Sequence, residues 1–286
     1  MNIDDSFRTR LSETFRPLNR ISASGALPPA ATLTNFFAVT FRKGMLSHAL
    51  IPKQASHFGT AAVEIWQRSV HSFLISASLT NASPIWASVS GYYSSHYSVR
   101  GIAHLLGYFY LFKRQTVARL EPGPRGGYTC SFMGKPKNIP SGEHQIYWGL
   151  VKRDSIFAAD PLFTENKPDV DESDAGHRNF ANYIDHIYRY PIFHPLDENA
   201  MKTRVDHISK IEIEDPRDPD PPPIPRKDRF PDVERVQLIA YHRLVSFRKI
   251  LDEVLADSNR FWNVHRNPSF ATGFMNFQLA ERSGFA

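Results

Sequence analysis

The break Asn81-Ala82-Ser83-Pro84 constrains this chain more than any other feature, because helical spacing runs up to it and resumes after it. Before the break, Ala62, Trp66, Val70, Phe73 and Ala77 recur at three and four residues, which lays an apolar stripe along a helix over Ala55–Ala77. After it, Ser83 suits an N-cap and Pro84 the first helical position, where the missing N–H costs nothing. The second helix is expected to run from Pro84 to about Lys113, with Val89, Tyr93, Tyr97, Arg100, His104 and Gly107 following one another along a face. Two helices joined by so short a break fold back on each other, so a helical hairpin is the expected centre of the fold.

The pattern changes on either side. Residues 1–54 carry Pro28, Pro29 and scattered Ser and Thr with one apolar run at Phe36–Phe41, and read as an irregular N-terminal segment. Gln115–Glu121 and Tyr128–Met133 alternate with period two around Pro122-Gly123-Pro124-Arg125-Gly126-Gly127, which predicts a β-hairpin insertion at about 115–142. A short helix is expected around Glu143–Lys152, an exposed acidic stretch at Lys167–Asp174, and a helix from Gly176 to about Tyr190, ended by Pro191. The segment 213–231 is dominated by proline, whose fixed φ and missing N–H exclude helix and central strand, so it reads as an extended connector. A PxxP-type ligand for a partner domain, making the chain a docking scaffold, is the other reading of that connector. In the C-terminal helical segment, 232–286, Val236, Ile239, Leu244, Phe247, Leu251 and Leu255 form a further apolar stripe over Asp232–Asn263.

Composition narrows the function classes. The 286 residues are 42% hydrophobic and 22% charged, which is a globular balance with ample chain for a core. One cysteine, Cys130, excludes an internal disulfide framework and a cysteine-rich zinc module. No run approaches the ~20 apolar residues that cross a bilayer, and Met1–Arg20 lacks an apolar signal core, so a soluble cytoplasmic protein without membrane partners is expected. The formal charge of +5 is compatible with phosphate partners but mild for this length. No GxxxxGK[ST], GxSxG or HExxH occurs, and the twelve histidines show no metal-ligand spacing, so no metal or cofactor is expected. His71, His96 and His104 fall on helical stretches, where core or hydrogen-bonded roles are the more frequent ones.

Two segments carry a resemblance. Gly91-Tyr92-Tyr93-Ser94-Ser95-His96-Tyr97-Ser98-Val99-Arg100-Gly101-Ile102-Ala103-His104-Leu105-Leu106 sets paired tyrosines, small residues, an aromatic and paired leucines on one helix. Ser94, Ser95, Ser98 and Gly101 let another helix approach closely, while Tyr93, Tyr97 and Leu105 supply volume. Downstream stand His177-Arg178-Asn179-Phe180-Ala181-Asn182-Tyr183 and His186-Ile187-Tyr188. In this order the two segments resemble the HEPN superfamily, over roughly Ala55–Tyr190. The resemblance implies a mainly α fold: a HEPN-like helical bundle over 55–212 with a small β-hairpin insertion, followed by the C-terminal helical extension.

It also implies a function: a metal-independent endoribonuclease of the toxin or phage-defence type, acting on RNA as a symmetric homodimer, with a protein partner or antitoxin as a further expectation. Catalytic members of the superfamily bring together an Arg, which stabilises charge on the phosphate, and a His that moves a proton. Arg178 and His186 are the matching positions. Their separation of eight residues departs from the family's five to seven, yet Arg178, Asn182 and His186 at i, i+4 and i+8 share a helix face if the helix persists. Asn182 and Tyr188 would position substrate, and Arg100 with His104, another i, i+4 pair, would line the same cleft. The bland reading pairs Arg178 with an acidic neighbour, uses His186 to cap the last turn, and buries Arg100 and His104 in a hydrogen-bonded network. Looser pairs such as Arg42/His48, Arg189/His194, Arg235/His242 and Arg260/His265 are no more frequent than chance allows. The alternative function is a non-catalytic HEPN-like module that binds a partner protein, a nucleotide or RNA.

Overall fold

The computed structural model describes residues 4–14, 37, 47–111, 115–123, 125, 127–134, 143–158, 160–164, 198–210 and 233–254. They form a mainly helical fold with one four-stranded antiparallel sheet. The expected hairpin lies at its centre. Helix α2 follows an N-terminal helix α1 (Asp5–Thr14) and spans Pro52–Leu79. Pro52 occupies the first turn, and the Gln54 side chain accepts the Ile51 N–H at 3.0 Å, satisfying one donor the helix start leaves over. Phe58, Ala62, Val63, Trp66, Val70 and Phe73 are almost fully buried along one face, and each such large side chain contributes about 1.5–3 kcal/mol of burial free energy. The Thr80 hydroxyl closes the helix on the Ala77 carbonyl at 3.0 Å.

Helix α3 spans Pro84–Leu105 and is buried at 16 of its 22 positions. Its small residues explain how so much of one helix can be covered. Ser69 of α2 donates to the Ser94 carbonyl at 2.8 Å and shares a 2.7 Å hydrogen bond with the Ser98 hydroxyl. Ser76 donates to the Ala87 carbonyl at 2.6 Å. Hydroxyls reach a neighbouring helix backbone only where no large side chain holds the two apart. On the other side lies α8 (Val233–Val254), whose Phe247 ring occupies the space a Cβ on Gly101 would need and whose Val236 does the same at Gly91. Gln237 of α8 is fully buried and donates to the Ser76 carbonyl at 2.9 Å and to the Thr80 hydroxyl at 2.8 Å, while accepting from Arg204 at 2.7 Å. Arg204 belongs to α7 (Glu198–Ser209), so one amide ties three helices together.

The second helix is shorter than its apolar pattern suggests. It stops at Leu105 rather than near Lys113, because Gly107 takes φ +83 and turns the chain into strand β2, Tyr108–Leu111. A side chain there would be driven into the Leu120 carbonyl, and Leu120 N–H donates back to the Gly107 carbonyl at 2.8 Å. The aromatic run Tyr108-Phe109-Tyr110 then pairs with β3 (Thr116–Pro122), which pairs with β4 (Tyr128–Phe132). The predicted hairpin is therefore the middle of a larger sheet, ordered β1-β4-β3-β2, with β1 at Ser47–Leu50.

The N-terminal segment is also less irregular than its composition indicates. The Asp4 carboxylate accepts the Phe7 N–H at 2.7 Å and caps α1, which buries Phe7 and Leu11 one turn apart. Both residues, Leu50 of β1 and Phe247 of α8 join the same hydrophobic core as α2 and α3. Three short helices complete the described residues, α4 (Glu143–Val151), α5 (Ser155–Ala158) and α6 (Pro161–Thr164). No described helix is long and apolar enough to cross a membrane. The expected helix over Gly176–Tyr190, the acidic stretch, the proline connector and the aromatic tail after 254 lie outside the described residues.

Candidate functional site

Arg178, Asn182, His186 and Tyr188 fall outside the described residues, so among the sequence candidates only Arg100 and His104 have a described place. They stand one turn apart on α3. His104 has no exposed surface. Its Nδ1–H donates to the Tyr108 carbonyl at 2.9 Å, its ring stacks on Phe109 at 4.9 Å, and it meets the Tyr147 ring edge-on at 5.6 Å. Its Nε2 is buried without a hydrogen-bond partner among the described residues. Burial, and secondarily the positive charge of Arg100, push its pKa down to about 3, while the hydrogen bond to Tyr108 opposes them. The imidazole is thus neutral at physiological pH and closed to solvent, and it braces the turn from α3 into β2 instead of facing a cleft.

Arg100 is half-buried with its guanidinium 5.2 Å from the Tyr147 ring centroid. It belongs to a distinct stripe. Beyond Pro84 at its start, the positions of α3 that the core leaves partly open are Trp86, Ser90, Tyr93, Tyr97 and Arg100, which recur at three and four residues along one side of the helix. Trp86 is 49% exposed, and Tyr93 packs on the small cluster of Ile85 and Val89. This side presents aromatic rings along its length and a guanidinium at its end.

A second feature was invisible in the sequence. A cleft of about 220 Å³ opens between α1, the end of α3, strands β2 and β3, and the turn after α4. Leu11, Leu105, Leu106, Leu120 and Pro122 give it an apolar lining, and Arg10, Arg119 and Arg153 border it together with Glu121 and Asp154. Asp154 is nearly buried; its carboxylate accepts the Ile156 N–H at 3.1 Å and pairs with Arg10. Arg119 pairs with Glu121 at 3.1 Å and lies 5.7 Å from the Tyr108 ring centroid. The Arg153 side chain is exposed and makes no hydrogen bond or ion pair to a described residue. Only the alternation of Arg119 and Glu121 along β3 hinted at a charged strand face; the other members meet through tertiary packing.

No group of three or more His, Cys, Asp or Glu suited to a metal ion occurs among the described residues. Comparison with protein-family models, with curated proteins and with solved structures gives no match. The fold and site therefore define a mainly helical protein with a buried central hairpin, an aromatic–arginine helix face and a cationic cleft.

Proposed function

We propose that this protein is a metal-independent endoribonuclease of HEPN-like type, acting on RNA as a symmetric dimer in the cytoplasm, in a toxin or phage-defence setting. The observation that carries the reading is the open stripe on α3. The same helix whose residues resemble the superfamily leaves Trp86 exposed and Tyr93, Tyr97 and Arg100 partly exposed. Aromatic faces stack on unpaired bases and a guanidinium contacts phosphate, so this side suits single-stranded RNA. In this reading Arg178 stabilises charge that builds on the scissile phosphate, and His186 carries the proton to or from the ribose hydroxyl. Asn182 and Tyr188 position the substrate. Arg100 contacts it directly, while the sealed His104 supports the helix that presents Arg100.

The test is incubation of the purified protein with labelled total RNA in EDTA beside Arg178→Ala and His186→Ala. Cleavage by the wild type alone is expected. Undiminished cleavage by both variants would refute the assignment of the site.

A second reading, a non-catalytic module for a partner protein, nucleotide or RNA, draws on the cleft. That cavity gathers arginines around an apolar lining, with no histidine, serine or cysteine among its lining residues, which suits holding an anion better than transforming one. Salt-sensitive RNA retention without cleavage would favour it.

A further inference from the structure

We propose that the cleft bordered by Arg10, Arg119 and Arg153 binds a small phosphate monoester whose body is flat and apolar, of the size of a single nucleotide. The proposal deepens the second reading and stands apart from the nuclease reading, whose residues it does not use.

Three observations lead there. The first is convergence. Arg10 comes from α1, Arg119 from β3 and Arg153 from the turn after α4, so three guanidinium groups distant in sequence border one cavity. The two carboxylates, Glu121 and Asp154, leave one positive charge over. Asp154 is occupied with Arg10 and with the backbone of α5, and Glu121 is 46% exposed beside Arg119. Exposed pairs of that kind contribute little and are readily exchanged for a better partner. Arg153 carries no such pair to a described residue. A carboxylate ligand offers two oxygens, whereas a phosphate monoester offers three terminal oxygens and close to two negative charges, matching donors that arrive from three directions.

The second observation is the lining. Of the apolar lining residues Leu11, Leu105 and Leu120 are buried, and Leu106, Pro122 and Tyr108 are the ones left partly open, with the Arg119 guanidinium near the Tyr108 ring. A free inorganic ion would leave this small apolar edge in water. A ligand with a planar ring covers it and stacks against the tyrosine or the guanidinium.

The third is size. At about 220 Å³ the cavity lies below the ~300–1,000 Å³ usual for drug-sized ligands. That limits the occupant to one small ligand, seated by its phosphate with the rest of its body toward the open side, and excludes a folded polymer segment.

The test is calorimetric titration of the full chain with adenosine monophosphate, inorganic phosphate and adenosine. The variants are Arg153→Gln, Arg119→Gln and, as a control, Arg68→Gln, which alters an exposed arginine on α2 away from the cleft. Arg10 is left intact because its removal would strand the nearly buried Asp154. Adenosine monophosphate is expected to bind saturably, with inorganic phosphate and adenosine each weaker. Loss of one charge-assisted contact should weaken the monophosphate by about tenfold or more in Arg153→Gln and in Arg119→Gln. Arg68→Gln should bind as the wild type does, and all three variants should melt with the wild type. Failure of the wild type to bind either phosphate, equal affinity for adenosine and its monophosphate, or equal weakening by Arg68→Gln would each overturn the proposal. RNA cleavage in EDTA, measured on the same Arg153→Gln protein, should be unchanged, which keeps failure of this site distinct from failure of the nuclease reading.

Discussion

Acidification should destabilise this protein through His104, and the size of the effect follows from where the ring sits. In the unfolded chain His104 takes up a proton near pH 6.5. In the folded chain burial and Arg100 push that event down to about 3. Between those values the unfolded state binds more protons, so stability is fully present above about 6.5 and is lost as the pH falls through the window. The gap corresponds to about 5 kcal/mol once the pH lies below both values, and to about 2 kcal/mol between pH 7.5 and 5. The comparison variant is His104→Phe, which keeps a flat ring against Phe109 and loses the bond to the Tyr108 carbonyl, at a cost of about 1 kcal/mol near neutrality. Urea denaturation at the two pH values reads the difference. The wild-type midpoint should fall more steeply than that of the variant, by ~1 M for a slope of about 2 kcal/mol per molar. Other histidines and the carboxylates titrate in both proteins and cancel. Parallel declines in wild type and variant would show that His104 is not held neutral by burial, and the reasoning would fail.

Two further outcomes test the core. Gly101→Ala should destabilise the fold by about 1–2 kcal/mol in a thermal melt despite the better helix propensity of alanine, because its methyl group enters the space of the fully buried Phe247 ring; a stability gain would mean that α8 does not press on α3 there. Cys130 has its thiol pushed up to about 12 by burial in β4, so it should resist a thiol-directed reagent at pH 8 in the native protein and react at once in urea.

The hairpin was legible because each of its signals is local. Ser83-Pro84 punctuates the chain, and Ser94, Ser95, Ser98 and Gly101 announce a close helix contact that Ser69 and Phe247 then make. The strands β3 and β4 were legible for the same reason, through alternation around a Gly/Pro turn. What the sequence concealed depends on distant partners. Tyr108–Leu111 continues a helical apolar spacing and becomes a strand because Gly107 reverses the backbone and β3 supplies the ladder. Ser47–Leu50 has four residues and no strong strand signature, and it is fixed by pairing with β4 and by burial of Leu50 in the core. His104 reads equally well as a ligand or as core; only its zero exposure decides, and no periodicity carries that information. The cleft is the extreme case, since Arg10, Arg119 and Arg153 are unremarkable one by one.

His104 and the cleft are parts of one junction, and this links the pH argument to the ligand argument. The ring fastens the last turn of α3 to Tyr108, and the carbonyl of Gly107, between them, accepts the Leu120 N–H. Leu105, Leu106, Tyr108 and Leu120 are in turn lining residues of the cleft. Its apolar wall is therefore positioned by a neutral imidazole and a positive-φ glycine, neither of which touches the space a ligand would fill. The arginines are placed by α1, β3 and the turn after α4. Charge and shape at this site thus share α1 and β3, which carry Arg10 beside Leu11 and Arg119 beside Leu120, while the end of α3 contributes to shape alone. Substituting an arginine removes a contact and leaves the wall in place, whereas His104→Phe removes the bond that fastens Tyr108 beside the wall and leaves every guanidinium in place. An anion that binds chiefly by charge would respond to the first perturbation alone; one that also uses the apolar wall must respond to both.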